Sequence, residues 1–143
     1  KIAFILGLLF FASAFGVKVL NPTNSDEVLS HLQNNNYNIY VVLFVDPNVE
    51  DETTRTANQD IEDELGNFLR DNNDLFYAKI DISNPDFDKL RSVVGVNTAP
   101  AVMLIVHGKG VWINGRTPKL LVNRLQDFLP AFQQSSSHHA NPY

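Results

Sequence analysis

Side chains able to carry out chemistry are sparse along this 143-residue chain, and one class is missing: there is no cysteine. Thiolate nucleophiles, disulfides and thiolate zinc sites are therefore excluded within these residues. Glu50, Asp51 and Glu52 form a dense acidic run that could ligate a metal or act as a general acid. Just ahead of a helical pattern, such a run reads more simply as a helix N-terminus stabilised by the macrodipole. His138 and His139 are adjacent imidazoles with no fixed acid nearby, a poor metal site, and His31 and His107 stand alone. Lys89-Leu90-Arg91 is too sparse for a basic patch. Glycine-rich phosphate loops, HExxH, GxSxG and EF-hand spacings do not occur. The residues thus predict no catalytic group, no cofactor, no metal and no small-molecule substrate. Sixteen acids against 11 Lys and Arg, a net charge of −5, also argue against a nucleic-acid partner.

The elements that would position these groups follow from periodicity. Ser25 reads as the cap of a short helix reaching about Asn34, with Val28, Leu29 and Leu32 on its apolar side. Ile39 to Val45 is β-branched, aromatic and apolar on both faces, as a central strand covered by helices must be. From about Asp51 to Arg70 the pattern is helical, with Ile61, Leu65, Phe68 and Leu69 at i, i+4, i+7, i+8. Leu75 to Ile82 follows as a strand, and Asn84-Pro85 opens a helix that turns Phe87, Leu90, Val93 and Val94 inward. Ala101 to Val106 and Val111 to Ile113 read as a hairpin joined through His107 to Gly110, in which Trp112 is either core or contact surface. Thr117 caps a last helix carrying Leu121, Leu125, Phe128, Leu129 and Phe132, which Pro130 should kink or end. Residues 133–143 lose apolar periodicity and predict a flexible or partner-wrapping tail.

Residues 1–20 form an apolar N-terminal segment ahead of the folded part, residues 21–132. Two readings compete for it. Lys1, the run Ile2 to Phe11 and Ala12-Ser13-Ala14 match the charged, apolar and small-residue parts of a secretory signal peptide. Alternatively Ile2 to Leu20 forms one uncleaved helix long enough to cross a bilayer, with Lys18 at its boundary, so that residues 2–20 contact membrane lipid. The retained apolar helix is our expectation. It implies a place at a membrane, either the mitochondrial inner membrane or the endoplasmic reticulum and secretory pathway. The only Asn-x-Ser/Thr arrangement, Asn21-Pro22-Thr23, is blocked by its proline, which is mildly unfavourable to a secreted glycoprotein.

The order βαβαβαββα, with its hairpin and terminal amphipathic helix, resembles the thioredoxin family over about residues 17–132. Val41-Val42-Leu43-Phe44-Val45 is similar to the strand leading into that family's active-site loop. Tyr77-Ala78-Lys79-Ile80-Asp81 is similar to the strand after it, and Val94-Gly95-Val96-Asn97-Thr98-Ala99-Pro100-Ala101 to the segment that ends in a cis proline facing the dithiol. The resemblance implies an α/β thioredoxin-like fold, a central mixed sheet flanked by helices. It also implies a possible peptide or partner contact at Asn97, Thr98, Ala99 and Pro100, where a cis proline exposes backbone groups to an extended chain. The departures are as informative. Asn48 to Arg55, where the dithiol would fall, holds no sulfur; the Trp that normally precedes the first thiol is gone; and no acid stands among Ile39 to Val45. Three parts of one redox apparatus are absent together. The expectation is a redox-inactive module whose partners are other protein subunits, as an accessory subunit of a membrane assembly or, alternatively, as a chaperone module resembling non-catalytic isomerase domains.

Overall fold

The computed structural model describes residues 18–33, 38–115 and 117–140, with side chains as far as Gln133. Strand β1 (Lys18–Leu20), helix α1 (Ser25–Leu32), β2 (Ile39–Val45), α2 (Glu52–Asp71), β3 (Phe76–Asp81), a 3-10 turn (Pro85–Phe87), α3 (Asp88–Val94), β4 (Ala101–Val106), β5 (Lys109–Ile113) and α4 (Pro118–Ala140) follow in order. The strands form one sheet in the order β1-β3-β2-β4-β5. The first three are parallel, β4 runs against β2, and β5 runs against β4.

Strand β2 is buried at all seven positions, as its two-sided apolar pattern requires. Its odd-numbered residues Ile39, Val41, Leu43 and Val45 enter a core with Ile61, Leu65 and Phe68 of α2 and Leu121, Leu125 and Leu129 of α4. Tyr40, Val42 and Phe44 face the opposite core, with Val28, Leu29 and Leu32 of α1 and Leu90 of α3. Helices therefore cover both faces in pairs. Trp112 belongs to the second core, its ring centroid 5.7 Å from that of Phe44, which resolves a position the sequence left open.

Several boundaries differ from the sequence expectation. Lys18 to Leu20 are not the end of an apolar helix but an edge strand, paired in parallel with Phe76 to Ala78, and the Lys18 ammonium lies 5.1 Å from the Phe76 ring centroid. The folded unit thus begins at or before residue 18 rather than at 21. The expected apolar helix otherwise falls on residues 1–17, outside the described residues. Among the described residues no helix is long and apolar enough to cross a membrane.

Helix α1 is capped by Asn24, whose Oδ1 accepts from Glu27 N at 2.9 Å, rather than by Ser25. Ser25 instead lies one position inside, buried, where its hydroxyl donates to Asp86 O and accepts from Leu90 N, both at 3.0 Å, and so fastens α1 to α3. At the other terminus α4 runs on through Pro130 to Ala140. Of the tail expected to be flexible or partner-wrapping, residues 133–140 are helical. One missing N–H removes one rung of an established helix, and continuing it needs only one further bond per residue.

Thr117 caps α4 as expected, accepting from Leu120 N at 3.2 Å. Gly115 is what allows that turn to seat: a Cβ there would lie 2.5 Å from Leu121 N and 2.8 Å from Leu121 Cα. Backbone cannot yield like a flexible side-chain end, so Gly115→Ala must displace the first turn of α4. We expect it to lower unfolding free energy by about 1–3 kcal/mol in urea titrations, whereas the same change at Gly66, inside α2 with nothing within 4 Å, should raise it by about 0.5–1 kcal/mol.

Candidate functional site

The C-terminal ends of β2 and β3 and the start of β4 meet at one margin of the sheet. Phe44 is paired with Ala101, so Pro100 lies one residue beyond that pair, level with Val45. The Ala99–Pro100 peptide bond is cis. Asn97 and Thr98 are exposed and Ala99 and Pro100 half-buried, so all four sequence-predicted contact residues share this margin. Among the described residues, no hydrogen bond involves the backbone of Asn97, Thr98 or Ala99.

Beside them runs the loop Asp46 to Asp51. Asn48 N donates to Asp46 Oδ1 at 3.0 Å, and Asn48 Nδ2 donates to Ser83 Oγ at 2.8 Å. The Ser83 hydroxyl passes the chain on to Asp81 Oδ1 at 2.6 Å, which also accepts from Ser83 N at 2.8 Å. These bonds run in one direction, donor to acceptor, from the loop after β2 to the end of β3, an arrangement in which each bond polarises the next. Ile82 N bonds Val45 O at 2.8 Å beneath them. The loop is tied down by amide, hydroxyl and carboxylate groups.

Of the acidic run, Asp51 is the N-cap of α2. It accepts from Thr53 N at 3.3 Å, Thr54 N at 3.2 Å and the Thr54 hydroxyl at 2.7 Å. The Thr54 hydroxyl, with those two amides and the Arg55 cation, holds its carboxyl below the ordinary carboxylate range. Glu50 contributes its carbonyl, which accepts from Arg55 at 3.4 Å. No group of three or more His, Asp or Glu suited to a metal ion occurs among the described residues. His31 sits in the last turn of α1 and His107 in the β4–β5 turn, while His138 and His139 fall within α4. The structure does not bring these histidines together with the acidic run at this margin.

Solved structures of several thioredoxins superpose on the chain. Spinach chloroplast thioredoxin f, long form, matches with a TM-score of 0.63 and 14% identity, over 85% of this chain and 91% of that one. Thioredoxin O2 from Arabidopsis thaliana matches at 0.61 and 16%, over 80% and 95%. The chain has a thioredoxin-like fold. Thioredoxin from Trypanosoma brucei brucei gives 0.58 and 17%, over 80% and 91%. No protein-family model and no curated protein sequence matches the chain. Neither the segment Asn48 to Arg55, where the sequence resemblance would put a dithiol, nor any other part of the chain contains cysteine.

Sequence reasoning missed the Asn48–Ser83–Asp81 chain, because its partners are 35 and 2 residues apart and no motif links them. The Tyr77 hydroxyl is buried with no hydrogen-bond partner among the described residues; burial, and then the Glu62 carboxylate, push its acidity far down. The Asp51 cap makes a pH prediction. Its carboxyl pKa is depressed in the folded state, so the stabilisation is complete above the unfolded value near about 4 and is lost as pH falls through the lower folded value. Asp51→Asn, which keeps a capping oxygen, should show a shallower loss of urea midpoint than the parent chain between about pH 5 and pH 2.

Proposed function

We propose that this chain is a redox-inactive thioredoxin-like module that works by binding other proteins, as a membrane-tethered accessory subunit of a larger membrane assembly; a mitochondrial respiratory complex is one natural home. The observation that carries the non-catalytic part is the margin between Asp46 and Pro100. A fold associated with thiol exchange has there a loop fixed by Asn48, Ser83 and Asp81, with no atom that could form a mixed disulfide. What remains usable at that margin is shape and backbone. Thr98 and Ala99 offer N–H and C=O groups to an extended segment, the recognition mode that needs no reactive side chain. The membrane tether is supported by the apolar run Ile2 to Gly16 in the sequence.

A second reading has its own support. Ala12-Ser13-Ala14 has the small-residue form of a signal-peptidase site, which favours a secretory or endoplasmic-reticulum chaperone module that binds extended peptides.

Three measurements test these readings. Purified chain should reduce insulin disulfides no faster than buffer, and turnover above that level overturns the non-catalytic assignment. Extraction from native membranes should require detergent and yield the chain together with other subunits on a native gel. A detergent-free soluble monomer rejects the tethered-subunit proposal. N-terminal sequencing separates the two readings, since a mature end near Phe15 or Val17 selects the secretory one.

A further inference from the structure

A second surface, remote from the loop and cis proline, has the features of a strand-docking site. Strand β5 ends the sheet. It leaves β4 through the two-residue turn His107-Gly108, in which both residues have positive φ, 54° and 70°, the form that matches the twist of a tight hairpin. That turn makes Val106–Lys109 the first bonded pair, so by antiparallel alternation Val111 and Ile113 also bond inward to β4, while Gly110 and Trp112 turn their N–H and C=O groups outward. No described residue bonds them there. The strand Lys-Gly-Val-Trp-Ile contains no proline, and its register with β4 has no bulge, so the usual devices that blunt an edge are reduced to one lysine at its start.

The flank of α4 next to this edge is also unsatisfied. Leu120 and Phe128, 49% and 39% exposed, stand two turns apart with exposed Arg124 between them. Leu120 and Arg124 join Asn114 and Gly115, just past β5, around an open hollow of about 500 Å³. Val111 and Ile113 pack toward α4, so Lys109, two residues before Val111, lies on the same face of the strand. Charge is distributed to match. Residues 46–88 carry thirteen acids and three bases, whereas residues 109–133, which hold the edge strand and its helix, carry Lys109, Arg116, Lys119 and Arg124 against a single acid, Asp127. The edge and its helix therefore belong to the basic part of an otherwise acidic domain.

We infer that the β5 edge and the Leu120–Arg124–Phe128 flank bind an extended acidic segment of a partner protein. The segment adds as a sixth strand, pairing with the outward groups of Gly110 and Trp112. Its alternate residues face α4, with acids toward Lys109 and Arg124 and an apolar side chain in the hollow at Leu120. Charge disfavours a second copy, whose own Lys109 and Arg124 would be brought to the same edge. A lipid surface supplies no strand to pair with Gly110 and Trp112.

The test titrates the full chain, in detergent where needed, with acetyl-Glu-Val-Leu-Val-Glu-Val-amide. Calorimetry reads affinity, and amide NMR reads the site. Expected are slowed exchange and shifts at Gly110 and Trp112, weaker binding as salt rises, and a loss of about fivefold in affinity with Arg124→Glu. The same peptide N-methylated on the edge that meets β5 should not bind, a control that needs no variant to fold. The inference is overturned if the Lys-for-Glu peptide binds as well, or if the Gly110 and Trp112 amides do not respond. It is also overturned if sedimentation shows a dimer that protects those amides without peptide, or if anionic vesicles occupy Arg124 while the peptide does not bind.

Discussion

Burial of β2 on both faces is the constraint from which the rest of the structure follows. Seven consecutive apolar residues can be withdrawn from water only if something covers each side, and here α2 with α4 covers one side and α1 with α3 the other. Because successive side chains alternate, the two cores are fixed in register with each other. A slip of one residue would exchange Leu43 for Phe44 and misfit both. The parallel neighbour β3 and the antiparallel neighbour β4 then bring the Asp46 loop and Pro100 to the same margin whatever residues the loop contains. This explains how a framework associated with thiol chemistry persists without cysteine. The ladder and the cores set the architecture, and no thiol contributes to either.

The polar groups at that margin have become structural. Asp51 caps α2, and Asn48 and Ser83 carry a run of hydrogen bonds to Asp81. Those side chains are engaged in holding the loop, which leaves the exposed Asn97 and Thr98 and the half-buried Ala99 and Pro100 accessible at the margin. Recognition through main-chain groups in general selects an extended shape with little regard for side-chain identity.

Much of this was legible in the residues, and the exceptions have physical causes. Ile39 to Val45, the Ile61-Leu65-Phe68-Leu69 face, the Thr117 cap and the cis proline at position 100 all carry local signals that coincide with what the fold requires, so sequence and structure agree there. Lys18 to Leu20 misled because three residues continuing an apolar run look like more of the same; only pairing with Phe76 to Ala78, 58 residues along the chain, makes them a strand. Ser25 and Asn24 are both good caps by type, and the choice was made by a tertiary contact, the Ser25 hydroxyl reaching Asp86 and Leu90. Residues 133–140 lack an apolar stripe, yet helix propagates from the packed turns before them.

Sheet order places β1 at one border and β5 at the other, with three strands between them. Four interstrand steps amount to about 19 Å, set by backbone hydrogen bonding and therefore nearly incompressible. Lys18 opens the strand at the first border, and Lys109 to Ile113 form the opposite one. A pull applied between those two borders would strain the β-ladders sideways, through backbone bonds that every central strand shares.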